Sequence, residues 1–294
     1  MKKTALLIAA SLTLSAAIAL PAAAQVDIMS QIGAIVEKST NELAVQINLS
    51  GKQRMLTQKM SKEAMLVALG VEPEKNRENL KKTMALFERT LKGLKDGDKG
   101  LRLARTFQPG IRKQLDVVMG LWKDFKPLVV KVAAGKADKA TLLAISKKNL
   151  PLLAQMNKAV KMYEKASGSD TADLAVVINL SGRQRMLTQK MSKEFFLIAL
   201  GVDKQTNRNN LNKTAALFDR TLKGLKDGDR EQGLPGTKDP KIRAQLEKVE
   251  ALWKDFYPLL KKAATPASIK AVAEKNLPLL REMNRAVKMY EESW

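Results

Sequence analysis

The chain has no cysteine and no histidine. Without cysteine there are no disulfides, so any core must hold by packing alone. Together the two absences exclude thiolate and imidazole metal sites, covalent haem attachment, and catalysis through a histidine base or a cysteine nucleophile. Carboxylates, Lys, Tyr, Ser and Thr are what remains for chemistry. That points away from an enzyme, and no catalytic residue, metal ligand or cofactor is expected. Pairs such as Glu282 with Lys288 and Asp124 with Lys126 read as helix-surface ion pairs. Aromatic residues make up only 4% of the chain. That is too few for the stacking platforms of single-strand binders, so nucleic acid is not an expected partner. Beyond the first two dozen residues no apolar run is long enough to span a bilayer.

What the chain has in excess is positive charge, +22 over 294 residues. The basic residues are scattered at helical spacing, as on solvated helix faces. A chain this basic still attracts anions, whether an acidic surface or small oxyanions. Its start reads as a secretory leader: Lys2 and Lys3, an apolar stretch from Ala5 to Leu20, then Pro21 and the small residues Ala22-Ala23-Ala24. Cleavage after Ala24 is expected, leaving a soluble periplasmic protein.

The remainder is a duplication. Residues 47–63 read INLSGKQRMLTQKMSKE and residues 178–194 read INLSGRQRMLTQKMSKE, differing only at Lys52 and Arg183. Around them run helix-period seams. Leu80, Met84, Phe87, Leu91 and Leu94 recur in the second copy as Leu211, Ala215, Phe218, Leu222 and Leu225. A third seam is Ile111, Leu115, Val118, Leu121/Trp122, Phe125, Leu128 and Val132. Gly70, Asp96-Gly97-Asp98 and Gly135 read as helix stops, Pro127 as a kink in the third helix or a shortening of its last turns, and Pro151 as a kink in the fourth or its true start. Ser167-Gly168-Ser169-Asp170 reads as the linker between repeats. The expected fold is all-α: two tandem antiparallel four-helix bundles, residues 25–166 and 171–294, after a leader of residues 1–24.

On a helical wheel, at roughly 100° per residue, the repeated segment has two stripes. Leu49, Gln53, Leu56 and Met60 form one, suited to the bundle core. Asn48, Gly51, Arg54, Met55 and Gln58 form the other, and Asn179, Gly182, Arg185, Met186 and Gln189 repeat it. A mid-helix Gly costs about 1 kcal/mol relative to Ala, and its use is close approach of a backbone or ligand. Arg offers a planar fork of donors to a planar oxyanion. If the two long helices pack across a pseudo-two-fold axis, Arg54 and Arg185 face each other and an anion between them would relieve their repulsion. Asn48, Asn179, Gln58 and Gln189 would then orient it. The alternative at this point is that the arginines form salt bridges with neighbouring helices and that the glycines only ease packing.

The string I-N-L-S-G-[KR]-Q-R-M-L-T-Q-K-M resembles the signature of the PilJ-like sensor domain of type IV pilus chemotaxis transducers. It is also similar to the ligand box of nitrate/nitrite sensor ectodomains. The resemblance spans about 28–165 and 171–292 and is strongest over the 17-residue motif. It implies a four-helix bundle that binds nitrate or a similar small anion at a symmetric helix–helix interface. By position, it implies anion contact for Arg54 and Arg185, with Asn48, Gly51, Asn179 and Gly182 around them. No membrane span or signalling segment follows the repeats here, so the signal or ligand is expected to pass to a membrane receptor or transducer. As a tandem, the chain is expected to act as an internal pseudo-dimer or as a homodimer. The alternative function is a non-enzymatic envelope module that binds an anionic surface or a protein partner.

Overall fold

The structure, a computed structural model, describes residues 22–168 and 172–293. The expected leader lies outside the described residues except for its last three, and the linker's second half also lies outside them. Eight α-helices are described: α1 (Ala22–Ala68), α2 (Pro73–Asp96), α3 (Pro109–Ala133), α4 (Lys139–Ala166), α5 (Ala172–Ala199), α6 (Lys204–Asp227), α7 (Pro240–Lys261) and α8 (Pro266–Glu292). Short 3-10 turns at Lys99–Leu101 and Arg230–Gln232 follow α2 and α6. No strand occurs among the described residues. The chain divides into two compact units, residues 1–42 and residues 43–294. The second holds both copies of the 17-residue segment and the site described below.

The sequence signals for helix ends operate as expected. Gly70 and Gly201 adopt left-handed φ of 68° and 74°. The next amide then reaches back to the last turn, from Val71 to the Leu66 carbonyl and from Val202 to the Leu197 carbonyl, which satisfies carbonyls the helix leaves open. Asp138 caps α4 by accepting from the Thr141 amide at 2.8 Å. Asp98 and Asp229 each bind two nitrogens of an arginine, Arg89 and Arg220, and fix the 3-10 turns.

The seams form the core. Leu80, Phe87, Leu91 and Leu94 are buried in α2, and Leu211, Ala215, Phe218, Leu222 and Leu225 in α6, while Met84 is half-buried. The third seam departs from expectation at one place: Val129, not Leu128, is fully buried. The alternation of four and three continues through Phe125, Val129 and Val132, so Pro127 does not reset the register. Of the two readings at Pro151, a kink or a helix start, the start does not occur, for α4 runs through it and α8 runs through Pro278. The ion pairs also differ from expectation. Asp124 pairs with Lys148, and Glu282 with Arg281 and Arg285.

Candidate functional site

The repeated segments occupy the second half of α1 and most of α5. Gln53 and Gln184 of the first stripe turn into their own bundles, donating to the carbonyls of Phe87 and Phe218 at 2.8 Å. The second stripe faces the other repeat. Arg54 and Arg185 are each only 1% exposed. Arg54 Nη1 donates to Asn157 Oδ1 at 2.7 Å, and its Nη2 crosses to the Asn179 carbonyl at 2.9 Å. Arg185 repeats this arrangement. Its Nη1 donates to Asn284 Oδ1 at 3.0 Å, and its Nη2 crosses to the Asn48 carbonyl at 3.1 Å and Asn48 Oδ1 at 2.7 Å.

The glycines show how near the two cations come. A Cβ on Gly51 would lie 3.4 Å from Arg54 Nη2 and 3.7 Å from Arg185 Nη2. A Cβ on Gly182 would lie 3.2 Å from Arg185 Nη2 and 3.8 Å from Arg54 Nη2. Both guanidinium groups therefore share the space over both glycines. A methyl group at either position would stand in contact with both guanidinium groups, so the glycines leave that space to the two cations.

Neither arginine touches a carboxylate. The acids stand one bond removed. Asn48 Nδ2 donates to Glu291 and Asn179 Nδ2 to Glu164, so each carboxylate reaches from the last helix of one repeat to the first helix of the other. Burial lowers the pKa of Arg54 to about 9, reinforced by the neighbouring charges of Arg183 and Arg185 and opposed by Glu164. Burial lowers Arg185 to about 10 against the opposing pull of Glu291. Both remain cationic at neutral pH. Nε of each is buried and without a protein partner, as is Asn179 Oδ1. Direct salt bridging, the alternative reading of these arginines, is therefore not what the structure contains.

Gln58 and Gln189 do not join this cluster. They lie about one turn further on and donate to Asn149 Oδ1 at 2.7 Å and Asn276 Oδ1 at 2.9 Å. The same two oxygens accept from buried lysines of the opposite repeat. Lys193 reaches Asn149 at 3.2 Å and Lys62 reaches Asn276 at 3.0 Å. Burial lowers both lysines to about 8, partly offset by Glu63 and Glu194. Those carboxylates are already engaged by Lys59 and Lys190. The inter-repeat face thus holds two layers of paired cations, arginine and then lysine.

Sequence reasoning missed Asn157, Asn284, Glu164, Glu291, Lys62 and Lys193. A signal was present. MetAsn at 156–157 and 283–284 and AlaValLysMetTyrGlu at 159–164 and 286–291 are repeated, and Lys62 and Lys193 lie in the duplicated segment itself.

The arginine pair is reached from two sides. One mouth is a cavity of about 620 Å³ lined by Arg54, Asn157, Glu164, Asn179 and Arg183, among others. The other, about 170 Å³, is lined by Asn48, Lys52, Arg102, Arg185 and Glu291, among others. The only difference within the motif, Lys52 against Arg183, therefore stands at the mouths. Among the described residues there is no cluster of acidic side chains that could hold a metal ion.

The two helical repeats thus meet through a polar, arginine-centred interface. Two segments, residues 35–147 and 171–276, match the family described as type IV pili methyl-accepting chemotaxis transducer N-term, PilJ. The chain belongs to this family and carries it twice. It is also similar to the methyl-accepting chemotaxis protein McpN of Pseudomonas aeruginosa, at 32% identity over 115 residues. That match covers 38% of this chain and 21% of McpN, so the aligned segment spans about a fifth of that relative's length. Among the described residues no helix is long and apolar enough to cross a membrane.

Proposed function

We propose that the chain is a periplasmic sensor-type ligand-binding protein. It clamps one small planar oxyanion, nitrate or a close analogue, between Arg54 and Arg185, and passes the bound state to a membrane chemotaxis transducer. The observation that carries this is the convergence of two buried guanidinium groups over Gly51 and Gly182 without a carboxylate on either. An anion between them would offset the repulsion and accept from the unpartnered Nε groups. Asn48, Asn157, Asn179 and Asn284 hold the forks in place, and Gln58 and Gln189 act through the layer beneath. Relation to a chemotaxis protein supports the transducer as partner.

Calorimetry tests the clamp. Nitrate and nitrite are expected to bind with one site per chain, and the Arg54→Ala/Arg185→Ala double variant is expected to give no heat. Absence of binding to every small oxyanion, or unchanged binding in the double variant, would sink the reading. Affinity that collapses steeply between low and physiological salt would favour the alternative, a basic envelope module held on an anionic surface, because a buried clamp is screened much less.

A further inference from the structure

The two mouths differ in a way that a single small inorganic anion does not need. A water's share of liquid volume is about 30 Å³, and a four-atom oxyanion is of the same order. The wider mouth holds about 620 Å³. Four substitutions between the repeats distinguish the mouths. Arg183 stands where the first repeat has Lys52, Glu231 where it has Gly100, Gln232 where it has Leu101, and Gly233 where it has Arg102. On the narrow side, Arg102 pairs with Glu291 at 3.1 Å across the opening. On the wide side glycine takes the place of Arg102, and Glu231 of the same turn pairs with Arg220 at 2.6 Å. Arg183 is drawn to the wall there, donating to Gln232 Oε1 at 3.0 Å and Thr221 Oγ1 at 3.3 Å, with its Nε buried and unpartnered.

The wide mouth is amphipathic. One end holds Arg54 and Arg183, close enough for Arg183 to depress Arg54, with Glu164 as the acid nearby. The other wall is apolar and half-buried: Leu153 of α4, Val176 of α5 and Leu217 of α6. Arg220 is taken up by Asp229 and Glu231, and Arg54, Arg183 and Lys161 against Glu164 leave the mouth net positive, which suits an anionic ligand.

We propose that the wider mouth binds a small organic monocarboxylate. Its carboxylate lies on Arg54 and Arg183, and its hydrocarbon chain lies along Leu153, Val176 and Leu217. This rests on the reading of Arg54 as half of an anion clamp and extends that site to an organic ligand class. The narrow mouth, crossed by Arg102, takes no such chain.

The test is calorimetry on the full chain with acetate, butyrate and hexanoate beside nitrate. Affinity is expected to rise along the series by roughly two- to fourfold per added methylene, the range for half to full burial of a CH₂. Leu217→Asn is expected to flatten the series and leave nitrate binding in place, which also shows that the variant is folded. Arg183→Lys, which gives this mouth the residue of the other, is expected to weaken hexanoate about tenfold and nitrate by less than twofold. Nitrate binding with no alkanoate binding, or equal affinity from acetate to hexanoate, overturns the proposal and leaves the clamp standing. A chain-length gain that survives Leu217→Asn overturns the placement of the chain. No heat from nitrate or from any alkanoate overturns the clamp and this extension together.

Discussion

Gly182 offers a substitution whose effects on stability and on binding should part. Alanine at a helix interior position is worth about 1 kcal/mol over glycine. The added Cβ would meet Arg185 Nη2 at 3.2 Å, a contact that a small shift of the side chain relieves. Gly182→Ala is therefore expected to melt at or slightly above the parent temperature while binding nitrate at least tenfold more weakly. A variant that loses stability and keeps binding would show that the glycine serves packing alone. The buried lysines make a second residue-scale case. Lys62 and Lys193 are only 3% and 2% exposed, and each has a neutral asparagine oxygen as its hydrogen-bond acceptor. Buried ion pairs replaced by apolar side chains of similar volume are often neutral or more stable by about 1–4 kcal/mol, and a lysine without a carboxylate partner has still less to lose. Lys62→Met is expected to fall in that range in urea denaturation. The pH dependence has a definite sign. Between about pH 8, where these lysines titrate when folded, and 10.5, the ordinary lysine value, the unfolded chain binds more protons than the folded one. Their contribution to stability therefore rises with pH across that window. Denaturation midpoints at pH 8 and pH 10 should show the rise in the parent and a smaller one in Lys62→Met/Lys193→Met. At this scale the arginines and glycines were legible because a duplicated polar stripe has no reason to persist in a core. The lysines lie in the same repeated string, but Lys62 sits past the stretch placed on the wheel, and a lysine reads by default as solvated.

Helix order, helix ends and the two-bundle organisation were legible, because seams of period three and four and left-handed glycines are local properties. Passage of α3 and α7 through proline was legible too, whereas at Pro151 and Pro278 a helix start and a continuation were not distinguished. Proline removes one helical donor and crowds the carbonyl four residues back. Burial on both sides, by Phe125 and Val129 around Pro127 and by Leu152 and Met156 after Pro151, holds the helix to its course. The far end of each last helix is fastened by a buried tyrosine. Tyr163 shares a 2.6 Å hydrogen bond with Thr106, and Thr106 donates to the Leu94 carbonyl at 2.6 Å. Tyr290 and Thr237 repeat the contact. Burial raises Tyr163 to about 12, so it stays neutral across the working range. Tyr163→Phe is expected to cost about 1 kcal/mol, the usual net worth of one hydrogen bond. Because the tyrosine adjoins Glu164, the variant also reports whether the helix end matters to ligand binding. Loss of stability without loss of nitrate affinity is the expected result in paired denaturation and calorimetry.

Residues 43–294 form one compact unit in which Arg54, Lys62, Arg185 and Lys193 all bond across the two repeats. The repeats should therefore unfold together. A single transition, coincident by circular dichroism and tryptophan fluorescence, is expected, and two separated transitions would show the bundles to be independent. Saturating nitrate should raise the midpoint as a ligand of the folded state does. The melting temperature should not depend on protein concentration, since both sides of the interface belong to one molecule.

That covalent union has a consequence for what selection can explore. In an assembly of two identical chains, any change to one face of a symmetric site appears on the other face as well. Here Arg54 and Arg185 are separate codons, as are Lys52 and Arg183, so one face can drift while its counterpart holds. The unequal mouths are what such freedom leaves behind: a site with an inherited symmetric floor and two walls free to specialise for different visitors.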